Sequence, residues 1–221
     1  MSPSDAIEIP RLVAAQPAPL DGGSSSWQSA PEARIGLDPA PVAMAAAVSS
    51  TLARSTGHGR VRELRVRALH DGESVALRLE WADATRDDLI DDLDKFVDAA
   101  AVMFPLAPDS EALTMGSSGA PVNIWLWKAD RAEPFDVVAR GYSTSRKRPA
   151  STSGLEAEAR HDGAGWQLVL RRPLATHAAE TAGLAPGETS RLAFAIWDGS
   201  NAERSGQKST SAGFVQATLA P

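Results

Sequence analysis

The chain contains no cysteine. Disulfides, zinc–thiolate sites, iron–sulfur clusters and covalent c-type haem attachment are thereby excluded. Any metal-bearing group must be held by histidine, methionine, lysine or carboxylate side chains. Histidine is scarce as well. His58, His70, His161 and His177 fall in loops or at turns, and no two stand two to five residues apart, so the spacing of a histidine metal site is missing. Lysine is rarer still relative to arginine, four against eighteen, and the formal charge of −6 is not the basic footprint of a nucleic-acid binder. No stretch approaches eighteen apolar residues, so no membrane span is expected. The opening Met-Ser-Pro-Ser-Asp-Ala-Ile-Glu lacks the positive region and apolar run of a signal peptide. There is no glycine-rich phosphate loop, no His-Glu-x-x-His and no Gly-x-Ser-x-Gly, and nothing here makes the chain an enzyme on its own.

What is present suits one β domain. The 221 residues suffice to bury a full core without staples. Residues 1–20 read as an extended arm. Its Ile7, Ile9, Leu12 and Val13 have no obvious core within the chain, so the arm is expected to lie on a partner. Residues 21–221 are expected to form a single domain. Residues 61–69 and 74–81 alternate apolar and polar about a turn containing Asp71-Gly72, which predicts a β-hairpin. Further strands are expected at residues 34–37, 98–105, 122–127, 135–142, 155–161, 165–171, 190–197 and 213–219. The acidic stretch 83–98 reads as a short helix or a solvated loop, without the EF-hand pattern that calcium would call for. Residues 143–154 read as a mobile loop, and 173–187 as room for one short helix. So many short, turn-punctuated strands with one or two short helices predict an all-β fold, a β-sandwich of immunoglobulin-like or carbohydrate-module-like form.

One stretch organises this pattern. Met115-Gly-Ser-Ser-Gly-Ala-Pro-Val-Asn-Ile-Trp-Leu-Trp-Lys128 joins a lone methionine in a Gly/Ser loop to the most aromatic strand. Alternation puts Val122, Ile124 and Leu126 on one face and Asn123, Trp125 and Trp127 on the other. Both faces are largely apolar, as for a strand covered by its own core on one side and a partner or flat ligand on the other. The second notable residue is Lys208, in Trp197-Asp-Gly-Ser-Asn-Ala-Glu-Arg-Ser-Gly-Gln-Lys208. Among so many arginines it is the residue type able to lose its proton and offer a nitrogen lone pair.

Five motifs then fall in order between residues 60 and 217: Val75 to Thr85, Asp98 to Pro105, Met115 to Asp130, Gly165 to Pro173, and Ala195 to Lys208. Together they resemble the haem-binding gamma subunits of ethylbenzene dehydrogenase and dimethylsulfide dehydrogenase, which belong to complexes of the molybdenum-containing DMSO reductase type. The resemblance implies a β-sandwich holding one haem b between an axial methionine and an axial lysine, here Met115 and Lys208. Met103 is the rival methionine. Met103, Phe104, Trp125 and Trp127 are expected as apolar walls. The implied function is a non-catalytic electron-transfer subunit. Its implied partners are a molybdenum-containing alpha subunit, an iron–sulfur beta subunit and an external carrier such as a c-type cytochrome. Related complexes are commonly periplasmic, so export together with a partner is expected, with a cytoplasmic complex as the alternative. A carbohydrate-binding module that stacks sugars on Trp125 and Trp127 is the competing reading. A third is an interaction subunit that has lost its cofactor.

Overall fold

The computed structural model describes residues 6–12, 17–46 and 49–221. Val13 of the expected arm lies outside the described residues. In chain order the strands are β1 Ile7–Ile9, β2 Ala33–Gly36, β3 Asp38–Pro39, β4 Glu63–His70, β5 Ser74–Ala82, β6 Ala99–Pro105 and β7 Val122–Lys128. They continue with β8 Phe135–Ala139, β9 Arg146–Pro149, β10 Glu156–His161, β11 Gly165–Pro173, β12 Thr189–Trp197, β13 Ser209–Thr210 and β14 Val215–Leu219. Two sheets face each other. A nine-stranded sheet runs β1-β14-β12-β6-β7-β8-β9, with β13 and β3 added beside β12, and a five-stranded sheet runs β10-β11-β5-β4-β2. Among the described residues helix is confined to Ser50–Ala53 and short 3-10 turns, and no helix is long and apolar enough to cross a membrane.

The β4–β5 hairpin forms where alternation predicts it. Asp71 closes the turn, accepting from the backbone N–H of Glu73 at 2.7 Å and Ser74 at 2.6 Å, while Gly72 takes the positive φ of 95° that glycine tolerates. Pairing Val66 with Leu79 and Ala68 with Leu77 sends these four side chains inward, where all are buried. Leu168 and Leu170 of β11 join them, and the opposite wall is Val102, Phe104, Trp125, Phe194 and Ile196 of the nine-stranded sheet. Tryptophans fill the space between sheets. Trp127 meets Trp166 edge-on at 4.9 Å and Trp81 at 6.3 Å, and Phe104 lies 4.6 Å from Trp125, within the separations aromatic pairs favour.

Several expectations need correction. The arm's isoleucines do have a core in their own chain. Ile7 and Ile9 pair in parallel with Ala217 and Leu219 and are each 2% exposed. The partner of β1 is the last strand of the chain, a pairing of such separation that local pattern gives no hint of it. An Ile9→Ala substitution should therefore destabilise the isolated chain by about 2–5 kcal/mol, read as an earlier urea midpoint; an unchanged midpoint would mean that the arm is no part of this core.

Residues 143–154 are not an irregular loop. They contain β9, held at the sheet edge by Arg148, whose Nη2 donates to both oxygens of Asp136 at 2.8 and 2.9 Å. Residues 173–187 form turns instead of a helix. The stretch 83–98 takes the loop form of the two expected, with Asp91, Asp92 and Asp94 exposed; the departure is at its ends, where Asp83 and Asp98 are buried, while Leu89, Ile90 and Leu93 are exposed.

Candidate cofactor site

The outward face of the nine-stranded sheet is apolar across its middle. Ala101 pairs with Leu126 on one side and Ala195 on the other, and Met103 with Ile124 and Ala193. Small side chains thus make a flat floor. Around it Met103, Met115, Leu126, Phe135, Trp197 and Phe214 stand half-buried against the buried Ala101, Val122, Ile124, Val137, Ala139 and Ala195. The six floor residues are at most 8% exposed, because the half-buried side chains around them pack over this face. Cations rim it: Arg191 lies 5.2 Å from the Phe214 ring, and Arg131 and Lys147 lie 4.8 and 4.7 Å from Phe135.

Met115 is delivered to this face by a knotted turn. Gly116 N–H donates to Glu111 O at 2.9 Å and Met115 N–H to Ala112 O at 3.0 Å, the paired bonds of a Schellman closure. Methionine occupies the left-handed position, φ 60°, that glycine normally takes, and Gly116 follows at φ 78°. A side chain on Gly116 would come within 2.6 Å of Ala120 O. The left-handed conformation costs a non-glycine residue roughly 1–2 kcal/mol. The surrounding bonds hold it, with Gly141 N–H donating to Met115 O at 2.9 Å and the Tyr142 hydroxyl donating to Leu113 O at 2.7 Å. Strain maintained in this way is typical of functional positions. Met103, by contrast, sits in regular strand on the same floor.

Lys208 reaches the same face from the loop after β12. Ala40 N–H donates to Lys208 O at 2.9 Å, and β13, which follows it directly, is paired to β12 and β3. The side-chain nitrogen stands 4.8 Å from the centre of the Trp197 ring, whose indole N–H donates to Ser205 O at 3.0 Å. The residue is half-buried. Burial pushes its pKa down to about 8, and no neighbouring carboxylate offsets that push. A lysine in this state gives up its proton readily and then has a lone pair to offer. A thioether and an amine able to lose its proton, beside an apolar surface, form a donor set chemically compatible with a haem held by two protein ligands.

The six residues singled out in the sequence therefore divide between two faces. Met103 and Met115 lie on the outer face, and Lys208 stands at its margin beside Trp197. Phe104, Trp125 and Trp127 do not: they are 0, 0 and 4% exposed in the core between the sheets, so as walls of the outer site they are corrected. Both faces of β7 are apolar, and alternation tells which residues share a side without telling which side is inner. Trp197, Phe214 and the alanines of the floor were missed. The alternating alanines at 99, 101, 193 and 195 were the available signal, since outward side chains that small leave room for a flat cover. A concavity of about 780 Å³ on the outside of the five-stranded sheet, lined by Arg34, Arg60, Arg65, Arg160 and Glu80 among others, contains neither methionine nor lysine and offers iron no comparable ligand.

Comparison with known proteins matches residues 24–155 and 147–209 to the family described as ethylbenzene dehydrogenase. A Haloferax mediterranei protein that carries the name respiratory nitrate reductase heme subunit is 34% identical over 93% of this chain and 71% of its own length. Chlorate reductase subunit gamma of Ideonella dechloratans is 36% identical over 69% of this chain, which spans 63% of that protein. Dimethylsulfide dehydrogenase subunit gamma of Rhodovulum sulfidophilum is 31% identical over 92% of this chain and 76% of its own length. A solved Bacteroides uniformis structure titled as a carbohydrate-binding protein overlays with a TM-score of 0.56 at 10% identity, covering 99% of this chain and 100% of that one, a likeness of fold alone.

Proposed function

The chain belongs to the ethylbenzene dehydrogenase family, and from that premise we propose that it is the haem-bearing electron-transfer subunit of an oxidoreductase complex, without a catalytic centre of its own. The reading is that one haem b lies on the alanine floor of the nine-stranded sheet, with Met115 and Lys208 as its axial ligands. When bound, the haem would supply a one-electron carrier held by Met115 and Lys208, suited to relay rather than to substrate chemistry. The protein's own residues do the rest. The turn at 111–116 fixes the thioether, partial burial beside Trp197 lowers the pKa of the amine so that it loses its proton more readily, and Met103, Phe135 and Phe214 exclude water from the floor. The partners proposed are a molybdenum-containing alpha subunit and an iron–sulfur beta subunit, with electrons passing to or from an external carrier such as a c-type cytochrome. Delivery to the periplasm together with those partners is part of the same proposal.

The observation that supports this reading is that Met115 packs against the same outer cluster as Trp197, beside whose ring Lys208 Nζ stands at 4.8 Å, the two candidates coming from loops 93 positions apart. The sugar-binding alternative loses its support, because Trp125 and Trp127 are buried and present no face on which a sugar could stack. An absorption spectrum of the purified complex tests the reading: a Soret band with sharp reduced α and β bands is expected, and a colourless protein would end it. Met115→Ala should remove one ligand, giving a five-coordinate or water-ligated spectrum and a lower midpoint potential, whereas Met103→Ala should leave the spectrum nearly unchanged. The reverse result would move the ligand to Met103.

A further inference from the structure

At the end of the sandwich, where β5 of one sheet stops and β6 and β12 of the other begin and end, three aspartates converge. One carboxylate oxygen from each of Asp83, Asp98 and Asp198 lies within 4.8 Å of the other two, and the residues are 8, 0 and 4% exposed. Their existing bonds leave the group unbalanced. Asp98 accepts from the backbone N–H of Asp87 and Gly199 at 2.8 Å each and from Trp166 Nε1 at 2.9 Å. Asp198 Oδ1 accepts from the Ser200 hydroxyl and Asn201 N–H. Asp83 Oδ1 accepts from the backbone N–H and hydroxyl of Thr85, but Asp83 Oδ2 is buried with no donor in reach. Among the described residues the one cation in ion-pair range is Arg60, 3.3 Å from Asp198 Oδ2, with its own side chain 57% exposed. Three buried like charges with an orphaned oxygen are costly to keep unless something positive joins them.

We propose that Asp83, Asp98 and Asp198 bind one calcium ion that pins the two sheets together at this end. The donor set is oxygen only, which selects a hard cation and disfavours zinc or copper. Ligands about 2.3–2.6 Å from a shared ion can stand at most about 5 Å apart, which the observed spread satisfies. The three aspartates come from three separate chain segments, an arrangement that suits the adaptable coordination of calcium better than the strict octahedron of magnesium. The site shares no residue with the proposed haem ligands and stands whether or not haem is bound.

The test uses the full-length chain stripped with EDTA and desalted. Calorimetric titration with calcium chloride should give one ion per chain, and calcium should raise the melting temperature more than the same concentration of magnesium. Asp83→Asn should weaken calcium binding by about tenfold or more. In EDTA the same variant should melt no lower than the unmodified chain, because one of three repelling carboxylates is gone. If the unmodified chain takes up no calcium, or if Asp83→Asn binds it as tightly, the proposal is overturned; the first result needs no variant to fold.

Discussion

A Lys208→Arg protein is expected to lose the low-spin spectrum of a doubly ligated haem at every pH, even with the rest of the complex assembled. Arginine keeps its charge at any accessible pH and has no lone pair to give, so the iron should be left with water or an open position. In the unmodified protein, acid should displace Lys208 before Met115, reversibly, because the amine has a proton to gain and the thioether has none. The haem-free chain provides an independent readout. The folded pKa of Lys208 is lowered to about 8 from an ordinary 10.5. Between those values the unfolded chain binds the extra proton, so stability should rise with pH across that window and level off above it. Lys208→Arg, charged in both states, should remove this rise. A Lys208→Arg complex with an unaltered low-spin spectrum at neutral pH would take Lys208 out of the site.

Removing the carboxylate of Asp136 should produce the largest loss of folding stability among the substitutions considered. Asp136 is fully buried and Arg148 is 9% exposed, and Asn123 Nδ2 also donates to the same carboxylate at 2.6 Å. Asp136→Ala leaves a buried guanidinium without its counter-charge, a change that costs about 3–5 kcal/mol. Adding Arg148→Met should recover much of that loss, because an apolar pair in place of a buried ion pair is often tolerated. Urea denaturation of the two single variants and the double variant measures both. A loss below about 1 kcal/mol for Asp136→Ala would show that water already reaches this pair.

The same ion pair shows where sequence reading stopped. Strands whose apolar residues alternate beside a turn, such as β4 and β5, were legible because their side chains report burial two residues at a time. β9 was not, since Arg-Lys-Arg-Pro looks solvated until Asp136, twelve positions earlier, is brought beside Arg148. β1 failed for the same reason: its burial depends on β14 at the far end of the chain. The candidate ligands Met115 and Lys208 could be named from chemistry and resemblance. The surface between them could not, because Trp125 and Trp127 drew attention to the face of β7 that turns out to be inner. The buried aspartates were hidden in an acidic stretch whose composition suggested solvent.

The margins of the two sheets carry one more consequence. β1 is three residues long and is followed at once by Pro10; β9 carries Arg146 and Lys147 and ends in Pro149. The five-stranded sheet is bordered by β2 with Arg34 and by β10, whose outward residues are Glu156, Glu158 and Arg160. Short, charged or proline-marked borders are poor templates for another chain's backbone. Extension of either sheet into a continuous intermolecular sheet is thereby disfavoured.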